Sequence, residues 1–183
     1  MIYPIVLFGD PILKKKGQEI PVGSDINEVV TDMFETMKAA SGVGLAAPQI
    51  GKSLRLFVVD STPMHDEGET PLVQAFINPI ILEEVGEEWA FEEGCLSIPG
   101  IREDVRRNSK VRIRYYDLDW NEHEEEYDDI KARIIQHEYD HVEGVLFTDY
   151  LTAFKKKLLK GKLFNISRGK VDADYRVRIP VKK

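Results

Sequence analysis

The sequence predicts an α+β fold: a single domain, residues 1–183, of mixed and antiparallel strands packed around one central helix. Three observations predict it. The stretch 128–144, DDIKARIIQHEYDHVEG, has helical spacing and is apolar on two sides, the pattern of a helix enclosed by its domain. Several runs rich in Val, Ile, Phe and Tyr are bounded by turn residues, as strands are. A chain of 183 residues that is 43% hydrophobic can bury one core without disulfides or other staples.

Taken in order, residues 1–24 read as an irregular arm with turns at Gly9-Asp10-Pro11 and Pro21-Val22-Gly23. Asp25 and Glu28 have the spacing of a capping box. Ile26, Val29, Val30, Met33, Phe34 and Met37 then keep helical period, so a helix is predicted over about 25–40. Residues 42–51 are a Gly- and Ala-rich loop. Leu54 to Asp60 is a strand, and 61–71 a polar loop with a solvated His65. Leu72 to Val85 reads as strand interrupted at Asn78-Pro79, and 87–91 as a short strand leading to the loop of Cys95. Val111 to Leu118 alternates as a half-buried strand, turning at 119–121 into a partner over 122–127, with His123 on a solvated edge. After the central helix, 154–165 form a short basic helix with Leu158, Leu159 and Leu163 inward. Residues 175–181 are predicted as a final strand.

Charge separates the chain into two parts. Residues 151–183 hold eleven Lys/Arg against two Asp/Glu, a balance of +9. The whole chain carries −7, so residues 1–150 carry −16. An acidic body argues against a DNA-binding core, and the basic end reads first as a solvated helix face. One cysteine provides no secreted disulfide framework. Ile5-Val6-Leu7-Phe8 is too short for a signal or membrane segment. A cytoplasmic protein with no membrane partner is the expectation.

The chemistry is concentrated in the central helix. His137, Glu138 and His141 form an HExxH match, with both histidines on one face, one turn apart. Two imidazoles so placed can bind one metal ion, and Glu138 can reach a water on it. Ile130 and Ile134 share that face as an aliphatic wall, with Arg133 at its edge, toward a pocket rim. A catalytic site of this kind usually has a third protein ligand. The candidates are Cys95, whose thiolate suits a borderline metal, and more weakly Asp149, Asp172 and Asp174. Gly94 would let the backbone approach the ion closely. Gln49 offers a side-chain amide suited to a developing oxyanion, and Phe91 could join the aliphatic wall. The choice of third ligand separates a cysteine-ligated hydrolase from a zinc peptidase with an Asp ligand. A binding protein retaining the metal structurally is another reading, as is a ribosome-associated factor without chemistry.

Three segments carry a resemblance. Gly42-Val43-Gly44-Leu45-Ala46-Ala47-Pro48-Gln49, then Glu93-Gly94-Cys95-Leu96-Ser97, then His137-Glu138-Tyr139-Asp140-His141 resemble, in order and spacing, the three motifs of peptide deformylases. The resemblance spans most of residues 1–150, with no long insertion between motifs, as in the shorter bacterial type. It implies Cys95, His137 and His141 as ligands of one divalent metal, with water in the fourth position. It implies Fe²⁺ in the cell, with Zn²⁺, Ni²⁺ or Co²⁺ able to substitute. The implied reaction removes the N-formyl group from the initiator methionine of nascent polypeptides, releasing formate. In that reaction a metal-activated hydroxide attacks the formyl carbonyl, Glu138 acts as general base and then acid, and Gln49 and the Leu96 N–H hold the oxyanion. Val43, Gly44 and Leu45 would contact the substrate backbone, together with Glu93 and Gly94. The aliphatic strip suits that substrate: Val43, Ile130, Ile134 and Phe91 would line a slot for the methionine side chain, with Arg133 at its edge. The basic C-terminal segment would be the place of any transient ribosome contact.

Overall fold

The computed structural model describes residues 1–181, so Lys182 and Lys183, counted in the basic end, lie outside the described residues. Strand β1 (Ile5–Val6) opens the chain, where an irregular arm is expected. Helix α1 (Asn27–Ala39) follows, burying Val30, Met33 and Met37. The capping box does not form. Asp25 instead accepts hydrogen bonds from the backbone and side-chain nitrogens of Asn27, closing a local turn two residues ahead of the helix.

Five strands make the main sheet: β2 (Gly44–Ala46), β3 (Leu56–Asp60), β4 (Val73–Cys95), β5 (Ile98–Tyr116) and β6 (Glu122–Asp128). They lie in that order and are antiparallel throughout. β4 continues where two separate strands are expected. Asn78-Pro79 produces only a register shift between Ile77 and Ile80, because pairing with β5 resumes on both sides. The Cys95 loop is the tip of this β4–β5 hairpin, with Cys95 opposite Ile98 and two residues between. The turn at 119–121 and the strand after it form as expected.

Helix α2 (Asp129–Val142) starts directly from β6. Asp129 makes the bend at φ 47°. The helix stops at Gly144, whose φ of 76° suits the left-handed position after a helix end. A side chain there would also press on the Lys14 carbonyl, 2.7 Å from the Cβ position. Ala132, Ile134, Ile135 and Val142 pack with Phe57, Phe76, Val111 and Ile113 of the sheet. Among the described residues no helix is long and apolar enough to cross a membrane.

Helix α3 (Ala153–Ser167) is capped by the Thr152 hydroxyl, which accepts from the Lys155 N–H. Leu159 and Ile166 are buried, and Leu163 packs beside them. Leu158, expected inward, is 63% exposed, because its neighbour Leu159 takes the inward face and successive residues differ by about 100°. Strand β7 (Val177–Arg178) pairs in parallel with β1, so the two ends of the chain meet. His65 departs from its expected solvation. Its ring is only 11% exposed and bridges Ser61 Oγ at 2.8 Å and Glu69 at 3.2 Å, closing the 61–69 loop.

Candidate metal centre and cleft

The hairpin tip and helix α2 bring Cys95, His137 and His141 together. Their ligand atoms lie within 4.8 Å of one another. Cys95 Sγ and His141 Nε2 are 3.4 Å apart. That separation suits a shared ion, since metal–sulfur and metal–nitrogen bonds of about 2.3 and 2.0–2.1 Å in a tetrahedron leave the two atoms about 3.5 Å apart. His141 is buried, and burial holds its pKa well below the ordinary value, which favours the neutral form that binds a metal; burial acts the same way on His137, but its hydrogen bonds with Cys95 and Glu93 outweigh it and raise the pKa. The alternative aspartates fall elsewhere. Asp149 is taken by Lys14 and by the Leu146 N–H, and Asp172 and Asp174 are outside the three-ligand cluster.

His137 is oriented from behind. Its Nδ1 is 2.8 Å from Glu93 Oε1, which turns the other ring nitrogen toward the cluster, a common arrangement for ligating histidines. Glu93 also accepts from Arg107 and Arg133, and Arg107 reaches Asp140. Burial alone would raise the Glu93 carboxyl, but the hydrogen bonds from His137 and Arg107 outweigh it and hold the pKa well below the usual range. Glu93 therefore orients a candidate ligand, and its oxygens are already committed. Arg133 is not at a rim. It is 2% exposed, donates to the carbonyls of Val105 and Trp89, and lies under the Trp89 and Phe91 rings. Arg107, which the sequence reading overlooked, ties these carboxylates together from β5.

Glu138 is 5% exposed, and its Oε2 has no hydrogen-bond partner among the described residues. Burial raises its pKa to about 7, with Glu93 and Asp140 adding to the rise and His137 and Arg107 opposing it. Gly44 makes room for it: a Cβ at 44 would fall 2.5–2.7 Å from the Glu138 carboxyl and Cγ. Gln49 sits in a 3₁₀ turn, Ala47–Ile50. Its Oε1 accepts from the Ala46 N–H at 3.0 Å, which turns Nε2 toward Cys95 Sγ and Ser97 Oγ, 3.4 and 3.1 Å away. Ser97 is a second partner that sequence reading did not single out.

A cavity of about 600 Å³ opens over this cluster. Val43, Gly44, Gln49, Phe91, Glu93, Gly94, Cys95 and Leu96 line it from the sheet side. Ile130, Arg133, Ile134, His137 and Glu138 line it from α2. Leu45 has its side chain fully buried in the core, because neighbours on a strand face opposite sides, so only its backbone is available to a substrate.

Comparison with known proteins agrees with this geometry. A profile of the polypeptide deformylase family matches residues 2–157. The chain is 60% identical over 184 residues to a peptide deformylase of Cytophaga hutchinsonii, covering all of both chains. Among solved structures it is similar to peptide deformylase from Ehrlichia chaffeensis, with TM-score 0.83 and 32% identity, covering 93% of this chain and 99% of that one. It is also similar to the enzyme from Plasmodium falciparum, with TM-score 0.81 and 38% identity, covering 90% and 95%. Fold, metal-ligand cluster and sequence agree: the chain belongs to the polypeptide deformylase family.

Proposed function

We propose that this chain removes the N-formyl group from the initiator methionine of nascent polypeptides, as a metal-dependent hydrolase. The observation that carries the reading is the convergence of Cys95, His137 and His141 beneath a cleft into which the buried, unpartnered Glu138 opens. A divalent ion held by those three residues supplies Lewis acidity, which acidifies water and polarises a carbonyl. Fe²⁺ is our reading for the cell, with Zn²⁺, Ni²⁺ and Co²⁺ as substitutes compatible with a thiolate and two imidazoles.

The chain's own residues do the rest. Glu138 accepts a proton from the attacking water and returns it to the departing amine. A bond forms from the water oxygen to the formyl carbon, the C–N bond breaks, and formate and a free amino terminus result. Gln49 Nε2 and the Leu96 N–H donate to the carbonyl oxygen as its charge grows. The substrate backbone lies along Val43–Leu45 at the free edge of β2, beside Gly94, as an added strand. Phe91, Ile130 and Ile134 receive the methionine side chain, whose burial contributes about 1.5–3 kcal/mol. Arg133 and Glu93 shape the floor. The reaction belongs in the cytoplasm, where nascent chains emerge. The exposed lysines and Phe154 of α3 are where we place transient ribosome contact.

Formate release from formyl-Met-Ala-Ser by anaerobically purified protein tests the reading. Wild type is expected to release formate and Cys95→Ser to release none above background. Full activity of Cys95→Ser would mean another ligand set. Ile130→Asp tests the slot. Ile130 is partly buried on the cleft wall, whereas Ile134 also holds α2 to the sheet. The change is expected to lower kcat/KM for formyl-Met peptides about ten-fold or more, the scale of a disrupted apolar subsite. Unaltered kinetics would remove Ile130 from the slot.

A further inference from the structure

The four residues ahead of β1 lie against α1 and are held there by a largely buried acid. The Met1 ammonium donates to Asp32 Oδ1 and to Glu35 Oε2, the second at 3.0 Å. Tyr3 N–H donates to Thr36 Oγ1 at 3.0 Å, one turn along the helix from Asp32. Asp32 is 5% exposed. Among the described residues its only ion pair is with that ammonium, and its second oxygen, Oδ2, has no partner. The hydrogen bond to Asp32, followed by the one to Glu35, holds the pKa of the ammonium above its ordinary value, so the amine is charged at neutral pH.

A buried carboxylate stripped of its cation is costly. A formyl group on the Met1 nitrogen leaves a neutral amide with a single N–H, so Asp32 would lose its counter-charge. The first two side chains do not make up for that loss, since Met1 is 68% and Ile2 45% exposed. The formylated arm is therefore loosened from α1 and open to another molecule. In the docked form, by contrast, the N–H groups of Tyr3 and Ile5 are engaged by Thr36 and by the Arg176 carbonyl. A terminus so engaged is not free to join the edge of β2 as an added strand. The free amine is what the fold uses, and it is the product of the reaction proposed above.

We propose, on the basis of the deformylase reading above, that the N-formylated terminus of this chain is itself a substrate, processed by a second copy of the chain, and that the Met1 ammonium so released is the cation on which buried Asp32 depends. Water adds to the formyl carbon, the C–N bond breaks, and the proton of the departing formic acid passes to the amine, leaving formate and an ammonium. Docking on Asp32 and Glu35 then withdraws the product from the second copy's cleft. The processed protein is the more stable one.

The test substrate is the E138Q protein carrying N-formyl-Met1, made in a host whose own deformylase is inhibited and followed by intact mass. A catalytic amount of metal-loaded wild type is expected to remove the formyl group, and E138Q alone to keep it over the same interval. The formylated protein is expected to melt about 3–8 °C below its free-amine form, the scale of one largely buried charge left unpaired in a chain of this length. With D32N added, the two forms are expected to melt within about 2 °C of each other, because the pair with exposed Glu35 contributes little. Each comparison is made within one sequence, so any destabilisation by D32N itself cancels. Formyl-Met-Ala-Ser is cleaved in parallel as the reference. If wild type cleaves that peptide, the proposal is overturned by a formyl group that persists on the protein, by its loss from E138Q alone, or by a mature chain that starts elsewhere than Met1. Equal melting of the two forms, or an undiminished gap in D32N, would overturn it as well. Failure to cleave the peptide would instead sink the deformylase reading on which it rests.

Discussion

Glu138→Gln is expected to keep one metal per chain and to lose about 10²–10⁴ in kcat, the usual contribution of a positioned acid–base group. The exchange preserves shape. Gln keeps the space that Gly44 leaves open but cannot accept the water's proton. Thermal stability is expected to be equal or higher, because a desolvated carboxyl with an unpartnered oxygen gives way to a neutral amide that is cheaper to bury. The measurement is single-turnover formate release beside metal content and melting temperature. A kcat within ten-fold of wild type, with metal bound, would move the base role to another group.

Arg107→Leu carries the largest expected effect on stability. Arg107 is 6% exposed and is bidentate to Glu93 at 2.7 and 3.0 Å, with a third bond to Asp140 at 2.8 Å. Removing one partner of a buried ion pair leaves the other charges uncompensated, at a cost of about 3–5 kcal/mol. For a chain of this length each kcal/mol moves Tm by about 2–4 °C, so a fall on the order of 10 °C is expected. Glu93 would also hold His137 less well, and loss of such a support typically weakens metal affinity about 10–100-fold. Denaturant unfolding and a metal titration read the two effects separately. Stability within about 1 kcal/mol of wild type would mean that Arg133 alone suffices to balance Glu93.

The sheet was legible where burial alternates and obscure where it does not. Val111 to Tyr116 alternates strictly, and the turn and partner strand after it follow at the expected places. Residues 98–110, by contrast, are mostly polar or charged, with Ile98, Ile101, Val105 and Arg107 turned inward. A strand whose inward residues include a buried arginine has no clean polarity signal. Its pairing with β4 supplies what propensity does not, and the same pairing carries β4 across Asn78-Pro79. The final strand has the opposite difficulty. Val177–Arg178 is two residues long and exists because β1 lies alongside it, a partner more than 170 residues away in sequence.

The candidate pair His137 and His141, with Glu138 beside it, was legible because residue type at short spacing carries it, whereas Cys95 and Gln49 lie far off in sequence and were picked out by the resemblance of their motifs. An HExxH pair fixes two ligands on one helical face, whatever the helix packs against. The sequence by itself determined the α+β class, the central chemical motifs and the family. Only the tertiary structure decided which carboxylate orients His137, that Arg133 lies on the floor and not at the rim, and that Arg107 and Ser97 support the site. The same holds for the contact of the Met1 ammonium with Asp32. The reason is physical. Local propensity and period depend on neighbours within a few residues. A buried ion pair or a cleft wall depends on which distant segments meet, and that is settled by burial and strand pairing across the whole chain.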